Sequence, residues 1–348
     1  MRGNMKIRKI ISLILVITLS LTACKYLQAE NQSVAEVETT QPNSTTETNT
    51  ETTKETDTTK ASTINLDDTI ITYDVPLEKF VVEAEIQYNN IQVEEVYLDE
   101  KFRFATYSQI NTGFAKLYKN NSYNKKEGTI CVNAGHGVKG GEKYPKTYAH
   151  PDFTKKLTSG TNGKTEKSYA ISSGMTFPTG EAEHEINLKV AMYLRDVLLA
   201  NGYSVLMIRE DSDSYLDNIA RTVLANNYAD CHVSIHFDST ETGAGIFCIT
   251  ASRKEAYLKM DPVKDIYKKS DEFADMLITT FKKYNEKIRG KGIEYQDLTQ
   301  ISYSTIPTVD LELGDKKSDI SDARLHTLSE ELYDGIDEYM KVLYGKNS

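Results

Sequence analysis

The stretch TICVNAGHG, residues 129–137, decides the fold. Its first half is a short apolar run, which predicts a buried strand. The run ends in Gly135, His136 and Gly137. Glycines on both sides of a histidine let the backbone turn sharply and leave the imidazole accessible. Functional groups of α/β sheets gather at the carboxyl ends of strands. The stretch therefore predicts a strand with a functional histidine at its end.

Strands and helices alternate along the chain after this stretch. Within 185–200, Ile186, Val190 and Leu194 recur at helical spacing, and Asn201 with Gly202 predicts the helix end. Further strands are predicted at 203–208, 231–236, 245–250 and 308–312, and further helices at 219–227, 271–284 and 322–344. This order predicts an α/β fold with a mixed, largely parallel sheet and helices on both faces.

The chain has six histidines, at positions 136, 150, 184, 232, 236 and 326. His136 and His236 each stand at the end of a predicted strand, and Glu183 precedes a predicted helix. Two imidazoles and one carboxylate are a known ligand set for catalytic zinc, with one position left open for water. Residues alone leave Glu181 and Glu185 open as alternatives to Glu183.

Four blocks of the chain, in order, resemble the zinc-dependent N-acetylmuramoyl-L-alanine amidases. They are ICVNAGHG at 130–137, EHEINL at 183–188, ADCHVSIH at 229–236 and IPTVDLELG at 306–314. The resemblance implies zinc as cofactor, with His136, Glu183 and His236 as ligands and Glu312 as the catalytic carboxylate. Glu183 is preferred because it stands four residues before Asn187, as in the family block. The implied substrate is peptidoglycan, cut between N-acetylmuramic acid and L-alanine.

Three more residues fall within or between these blocks. Arg221, Asn187 and His232 are predicted to make substrate or structural contacts. The chain departs from the family at Asp238, where Asn is common, and at Asp315, where an apolar residue often follows Glu-Leu-Gly. It has no Trp but 22 Tyr, so aromatic contacts to sugars would come from Tyr.

The N-terminus has the order of a bacterial lipoprotein signal. A basic start precedes an apolar run at 10–21, and the sequence LTAC ends at Cys24. Residues 1–23 are therefore predicted to be a lipoprotein signal peptide, with lipid on Cys24 and an extracytoplasmic location at the cell membrane. Residues 24–62, rich in Thr and Glu, are predicted to be a disordered linker.

The remaining chain is divided into two parts. Residues 63–127 are predicted to be a small β-rich segment of unknown role, with strands at 69–73, 80–86 and 91–97 and a helix at 104–118. Residues 128–346 are predicted to be the catalytic domain. Cys131, Cys231 and Cys248 lie in short apolar runs, which predicts buried and unpaired thiols.

A long segment, 138–180, separates the first two predicted ligands. Long loops inside compact domains are usually functional or disordered. Its ends are fixed beside the metal, so we expect it to form a rim of the substrate groove, with lysines facing stem-peptide carboxylates. A lid over the site and a tolerated insertion are the alternatives.

Composition narrows the choice of function. The net charge of -10 argues against a nucleic-acid partner, whose phosphates require a basic face. Protein partners are left open. Two other functions fit parts of the sequence: a non-enzymatic solute-binding lipoprotein, and a zinc peptidase acting on cell-wall peptides.

Overall fold

The computed structural model describes residues 90–158 and 164–345. The predicted signal peptide, linker, and strands at 69–73 and 80–86 lie outside these residues. The strands are β1 Ile91–Tyr97, β2 Phe114–Asn120, β3 Thr129–Ala134, β4 Thr147–Tyr148, β5 Lys167–Ser168, β6 Ser204–Met207, β7 Cys231–Asp238, β8 Ile246–Ala251, β9 Ile288–Gln296 and β10 Thr308–Asp315. The helices are α1 Glu183–Ala200, α2 Asn218–Tyr228, α3 Glu255–Leu258, α4 Val263–Lys283, α5 Thr299–Tyr303 and α6 Asp322–Gly345.

Eight strands form one sheet in the order β1-β2-β6-β3-β7-β10-β8-β9. The central strands β6, β3, β7 and β10 run parallel to one another. On one side of these central strands, β2 runs antiparallel to β6, and β1 runs antiparallel to β2. On the other side, β8 runs antiparallel to β10. The predicted fold class, a mixed sheet with a parallel centre, is confirmed.

The alternation of side chains along β3 explains why helices cover both faces of the sheet. Ile130 and Val132 pack into a large cluster with α1, α4 and α6, whereas Cys131 packs into a second cluster with Leu224 of α2. Strands that are buried on both faces read as continuous apolar runs, as β3 does. The three thiols Cys131, Cys231 and Cys248 are buried and free, as predicted.

Helix α1 follows from its pattern of apolar residues. Ile186, Val190 and Leu194 are all buried, at spacings that place them on one face. Gly202, with φ 93°, follows the helix in the left-handed conformation that glycine adopts most readily. The helix begins at Glu183, two residues before the predicted start, so Glu183 lies in its first turn.

The predicted helix at 104–118 is wrong. The chain forms a short 3-10 turn at Ala105–Tyr107 and then strand β2. Burial in β2 alternates, with Ala115 and Leu117 buried, and the strand pairs with β6. Since β1 pairs with β2, the described part of the 63–127 segment continues the sheet of the residues that follow.

The parallel centre of the sheet brings the predicted site residues together. Strands β3, β7 and β10 are neighbours, and Glu312 of β10 is level with His236 of β7. His136 follows β3 by two residues. All three therefore lie at the carboxyl edge of the sheet, where sites in such folds form.

Candidate metal centre

Three side chains meet at this edge with their ligand atoms facing one another. His136 Nε2 lies 3.0 Å from Glu183 Oε1, and His236 Nδ1 lies 3.1 Å from each of these atoms. The two imidazole rings are nearly perpendicular, at 89°. Among the described residues, this is the group of His, Cys, Asp and Glu side chains whose geometry suits a metal ion.

The donor set fits zinc. A tetrahedral zinc site with bonds of about 2.0–2.2 Å places its donor atoms roughly 3.3–3.6 Å apart. The observed triangle is smaller by only a few tenths of an ångström. Three donors leave one tetrahedral position free, as catalytic zinc requires.

The electrostatics of the cluster also favour a cation. Burial opposes ionisation of Glu183, but His136 and His236 hold the pKa of its carboxyl well below the usual value. Burial lowers the pKa of the His236 imidazole, yet the carboxylates of Asp310 and Glu183 outweigh it and raise the pKa to about 10. The surroundings therefore stabilise positive charge at this position.

Hydrogen bonds on the far side of each imidazole orient the ligand atoms. His136 Nδ1 lies 2.9 Å from the carbonyl oxygen of Ser172, which places the proton on Nδ1 and leaves Nε2 free. His236 Nε2 lies 3.1 Å from Ser234 Oγ and 3.7 Å from Asp310 Oδ2, and this leaves Nδ1 free. Both free nitrogens are the ones that face Glu183.

Glu183 is held from three directions. Its Oε2 accepts a hydrogen bond from the Met175 backbone N–H at 2.9 Å. Its Oε1 accepts from Asn187 Nδ2 at 3.2 Å and from the Phe237 backbone N–H at 3.3 Å. Asn187 lies one helical turn after Glu183, and the two side chains are hydrogen-bonded. The spacing that favoured Glu183 in the sequence therefore corresponds to a contact in the structure. Glu181 and Glu185 are exposed.

Two buried arginines hold the turn that carries His136. Arg221 is completely buried and donates to the carbonyl oxygens of His136 at 2.6 Å and Ala134 at 3.1 Å. Arg209 donates to Ala134 and Gly135 carbonyls, both at 2.9 Å. His136 has φ 62°, an uncommon conformation for a side chain other than glycine.

The glycine before His136 is required by close approach. A Cβ atom built on Gly135 would lie 2.1 Å from His236 Cε1, well inside contact distance. Only glycine therefore lets β3 bring His136 beside His236. Gly174 has a similar role, since its Cβ would lie 2.7 Å from Glu183 Oε2.

Glu312 lines the same cavity as the three ligands. Its Oε2 atom is buried and has no hydrogen-bond partner among the described residues. Burial raises the pKa of this carboxyl well above the usual value, and the neighbouring His236 only partly opposes that. An unpaired carboxyl beside a metal site is placed to accept or donate a proton.

His232 lies apart from the ligand cluster. It is fully buried, its Nε2 is 3.2 Å from Asn133 Nδ2, and its Nδ1 has no partner in the described chain. Burial lowers its pKa to about 3, with Arg221 adding to the effect. His232 is therefore a neutral group within the sheet, and Asn133 links it to Ser234, Gln300 and Arg221.

Several contacts of the site were not foreseen. Ser172 and Met175 act through backbone atoms of the 138–180 segment, and no residue pattern announces such contacts. Asp310 was detectable, because it lies two residues before Glu312 in a strand and so shares its face.

The cavity around the cluster has a volume of about 550 Å³. One wall comes from the 138–180 segment, including Lys156, Ser168 and Tyr169. Another wall includes Arg289 and Glu294 of β9. The long segment thus borders the groove, as the rim hypothesis expects.

Comparison with known proteins places the chain in a family. The family model described as N-acetylmuramoyl-L-alanine amidase matches residues 130–338. The uncharacterized protein YqiI of Bacillus subtilis is 29% identical over 151 residues, which cover 43% of this chain and 64% of that protein. The match thus spans less than two thirds of YqiI.

Solved structures of similar fold include two amidases. Ami1 of Mycobacterium smegmatis matches over 64% of this chain and 100% of its own, with 18% identity and a TM-score of 0.47. The catalytic domain of CwlV from Bacillus (Paenibacillus) polymyxa var. colistinus matches over 62% and 99%, with 23% identity and a TM-score of 0.41.

Proposed function

The chain belongs to the N-acetylmuramoyl-L-alanine amidase family, and on that premise we propose that it hydrolyses peptidoglycan. The bond cut is the amide between the lactyl group of N-acetylmuramic acid and the L-alanine of the stem peptide. One observation carries the proposal: within the matched residues, His136, Glu183 and His236 converge beside Glu312.

His136 Nε2, Glu183 Oε1 and His236 Nδ1 would hold one zinc ion. When bound, zinc polarises the substrate carbonyl and makes a water molecule more acidic. Asn187 and the Met175 backbone N–H fix the Glu183 carboxylate, and the Ser172 carbonyl fixes the His136 ring. These contacts keep the donor atoms in place before any ion arrives.

Glu312 would move the proton. Its carboxylate accepts a proton from the attacking water and passes it to the leaving amine. The second transfer is needed because an amide anion is a very poor leaving group. Burial raises the pKa of Glu312, and the positive charge of a bound zinc ion would oppose this and favour the ionised form, which is the form that accepts a proton.

The test is to incubate the purified full chain with peptidoglycan and identify the new ends by mass spectrometry. The amidase proposal expects free lactyl carboxyl groups and stem peptides that begin with L-alanine. New ends inside the stem peptide would establish the zinc peptidase alternative. An unchanged substrate together with no bound zinc would favour the solute-binding alternative.

The substrate lies outside the cytoplasm, so the same proposal places the protein there. Anchoring through lipid on Cys24 is supported by the basic start, the apolar run and the sequence LTAC. Within 90–158 and 164–345, no helix combines the length and apolar character needed to cross a bilayer.

A further inference from the structure

The groove wall built by the 138–180 segment contains two polar groups without partners. Lys156 is 6% exposed and lines the cavity. Among the described residues its ammonium has no ion pair within 4.0 Å and no hydrogen bond. Ser168, 5% exposed, lines the same cavity, but its Oγ atom is enclosed by protein and has no hydrogen-bond partner in the described chain, so Lys156 is the group that a ligand could reach.

The nearest source of negative charge for Lys156 is already occupied. Asp297 accepts hydrogen bonds from the Leu157 backbone N–H at 2.5 Å and the Thr158 backbone N–H at 3.2 Å, and it lies 3.0 Å from His150 Nε2. Asp297 makes no ion pair with Lys156 and acts on its ammonium only by electrostatic attraction at longer range. Burial lowers the pKa of the Lys156 amine, and Asp297 opposes that change.

The other cation of the groove wall differs from Lys156. Arg289 bonds to Asp238, and its Nε lies 3.0 Å from Glu294. Its charge is therefore compensated within the protein. Among the described lining residues, Lys156 is the lysine or arginine whose charge no carboxylate contacts. A buried ammonium without a partner is costly, so the arrangement favours an anionic ligand.

We propose that Lys156 forms a subsite that binds a carboxylate of the stem peptide. The inference rests on the proposed function, because it assumes that the groove holds peptidoglycan. A carboxylate accepts charge-assisted hydrogen bonds from the ammonium. His150 and Asp297 position the subsite by tying residues 157 and 158 to the end of β9. Lys156 is thus a specificity-determining residue.

The experiment compares two ligands that differ in one group. One is a muramoyl dipeptide whose second residue carries a free carboxylate, and the other has that carboxylate converted to a primary amide. Affinities are measured by calorimetry with the zinc-loaded full chain carrying Glu312→Gln, which prevents turnover. We expect the carboxylate form to bind roughly tenfold to a hundredfold more tightly.

Four further substitutions, each made in the chain that carries Glu312→Gln, test whether Lys156 causes the preference for the carboxylate ligand. Lys156→Gln should reduce the affinity ratio to near one, and Lys156→Arg should preserve most of it. Ser168→Ala changes the same wall without changing its charge and should leave the ratio unchanged, because Ser168 Oγ is enclosed by protein. Lys155→Gln removes an exposed neighbouring charge and should leave the ratio unchanged. Circular dichroism spectra confirm that each variant is folded.

Equal affinity for the two ligands in the starting protein would overturn the proposal, as would a ratio that survives Lys156→Gln. If Lys156→Gln does not fold, Lys156→Met, which keeps the length of the side chain without its charge, decides, and an unchanged ratio rejects the subsite. Wall cleavage is assayed separately. Cleavage without carboxylate preference refutes the subsite alone, whereas preference without cleavage refutes the amidase function alone.

Discussion

At the scale of single residues, the position of His136 depends on side chains far from it in sequence. A residue other than glycine at positive φ costs of the order of 1–3 kcal/mol unless its surroundings impose it. Here Arg221 imposes the conformation by donating to the carbonyl oxygens on both sides of the turn. His136 is therefore positioned by hydrogen bonds to its backbone as much as by contacts of its imidazole.

Arg221→Met should destabilise the fold. Methionine keeps much of the length but removes every donor, so the carbonyl oxygens of Leu216 and His136 lose their hydrogen bonds at about 1–3 kcal/mol each. We expect the free energy of unfolding of the metal-free protein in urea to fall by at least about 2 kcal/mol. Arg103→Met is the control, since Arg103 is exposed and its ion pair is worth about 1 kcal/mol or less. Equal losses for both variants would contradict this role for Arg221.

Glu312→Gln should bind zinc and fold normally while losing turnover. The amide has nearly the same shape but cannot accept the proton of water. General acid–base assistance is typically worth about 10²–10⁴-fold, so turnover should fall at least that far. Glu185→Gln, at an exposed position, should keep near-normal turnover. Normal turnover by Glu312→Gln would transfer the role to another carboxylate, with Asp310 the first to test.

Metal analysis should find about one zinc per chain. His136→Ala removes a donor and should abolish binding. Asn187→Ala removes a hydrogen bond to Glu183 and should weaken zinc affinity by about tenfold to a hundredfold. His184→Ala is the control, because His184 contributes its backbone carbonyl to Arg209. Full zinc occupancy in His136→Ala would disprove the ligand assignment.

At the scale of elements, periodicity predicted the parallel centre of the sheet and the long helices. The predictions failed where pairing between strands outweighed the local sequence pattern. Strand β2 forms because β6 offers it an edge, and residues 104–118 by themselves do not reveal that edge. Strand β9 was missed because Gly290 and Gly292, both at positive φ, interrupt its pattern. Helix α4 begins at Val263, eight residues before its predicted start.

The grouping of His136, Glu183 and His236 was predicted from family blocks, whereas the contacts that support these side chains were not. Spacing from Asn187 selected Glu183, and the observed hydrogen bond gives that spacing a physical reason. The Ser172 carbonyl and the Met175 N–H have no side-chain signature. Replacing Lys139–Thr179 with a short linker would be a direct test of the rim hypothesis, but it would also remove these contacts and weaken the metal site itself.

Asp297→Ala is a gentler test of the rim. It removes the acceptor that holds residues 157 and 158, and hydrogen bonds to charged groups are worth about 1.5–3 kcal/mol each. We expect faster hydrogen exchange in this part of the segment, unchanged zinc content, and reduced cleavage of wall fragments. Glu166→Ala, at an exposed position of the same segment, is the control. Increased cleavage would support a lid, and unchanged cleavage would support a tolerated insertion.

At the scale of the whole molecule, the acidic chain must stay close to a wall that is itself rich in carboxylates. The net charge of -10 offers no general attraction to such a polymer. Local cations in the groove and an anchor at the membrane would then do separate tasks. On these proposals, the groove would recognise one carboxylate, and the anchor would keep the protein near its substrate.

The anchor is tested by Cys24→Ala. Each buried methylene of a lipid contributes about 0.8 kcal/mol, so a group with several acyl chains holds a protein durably at a bilayer. We expect wild-type protein in the membrane fraction, labelled by radioactive fatty acid. The variant should be released, or should keep its signal peptide and run larger on gels. Cys248→Ala, which alters a buried thiol, should fractionate like wild type. Unchanged fractionation, size and labelling of Cys24→Ala would show that the apolar run at 10–21 retains the protein by another route.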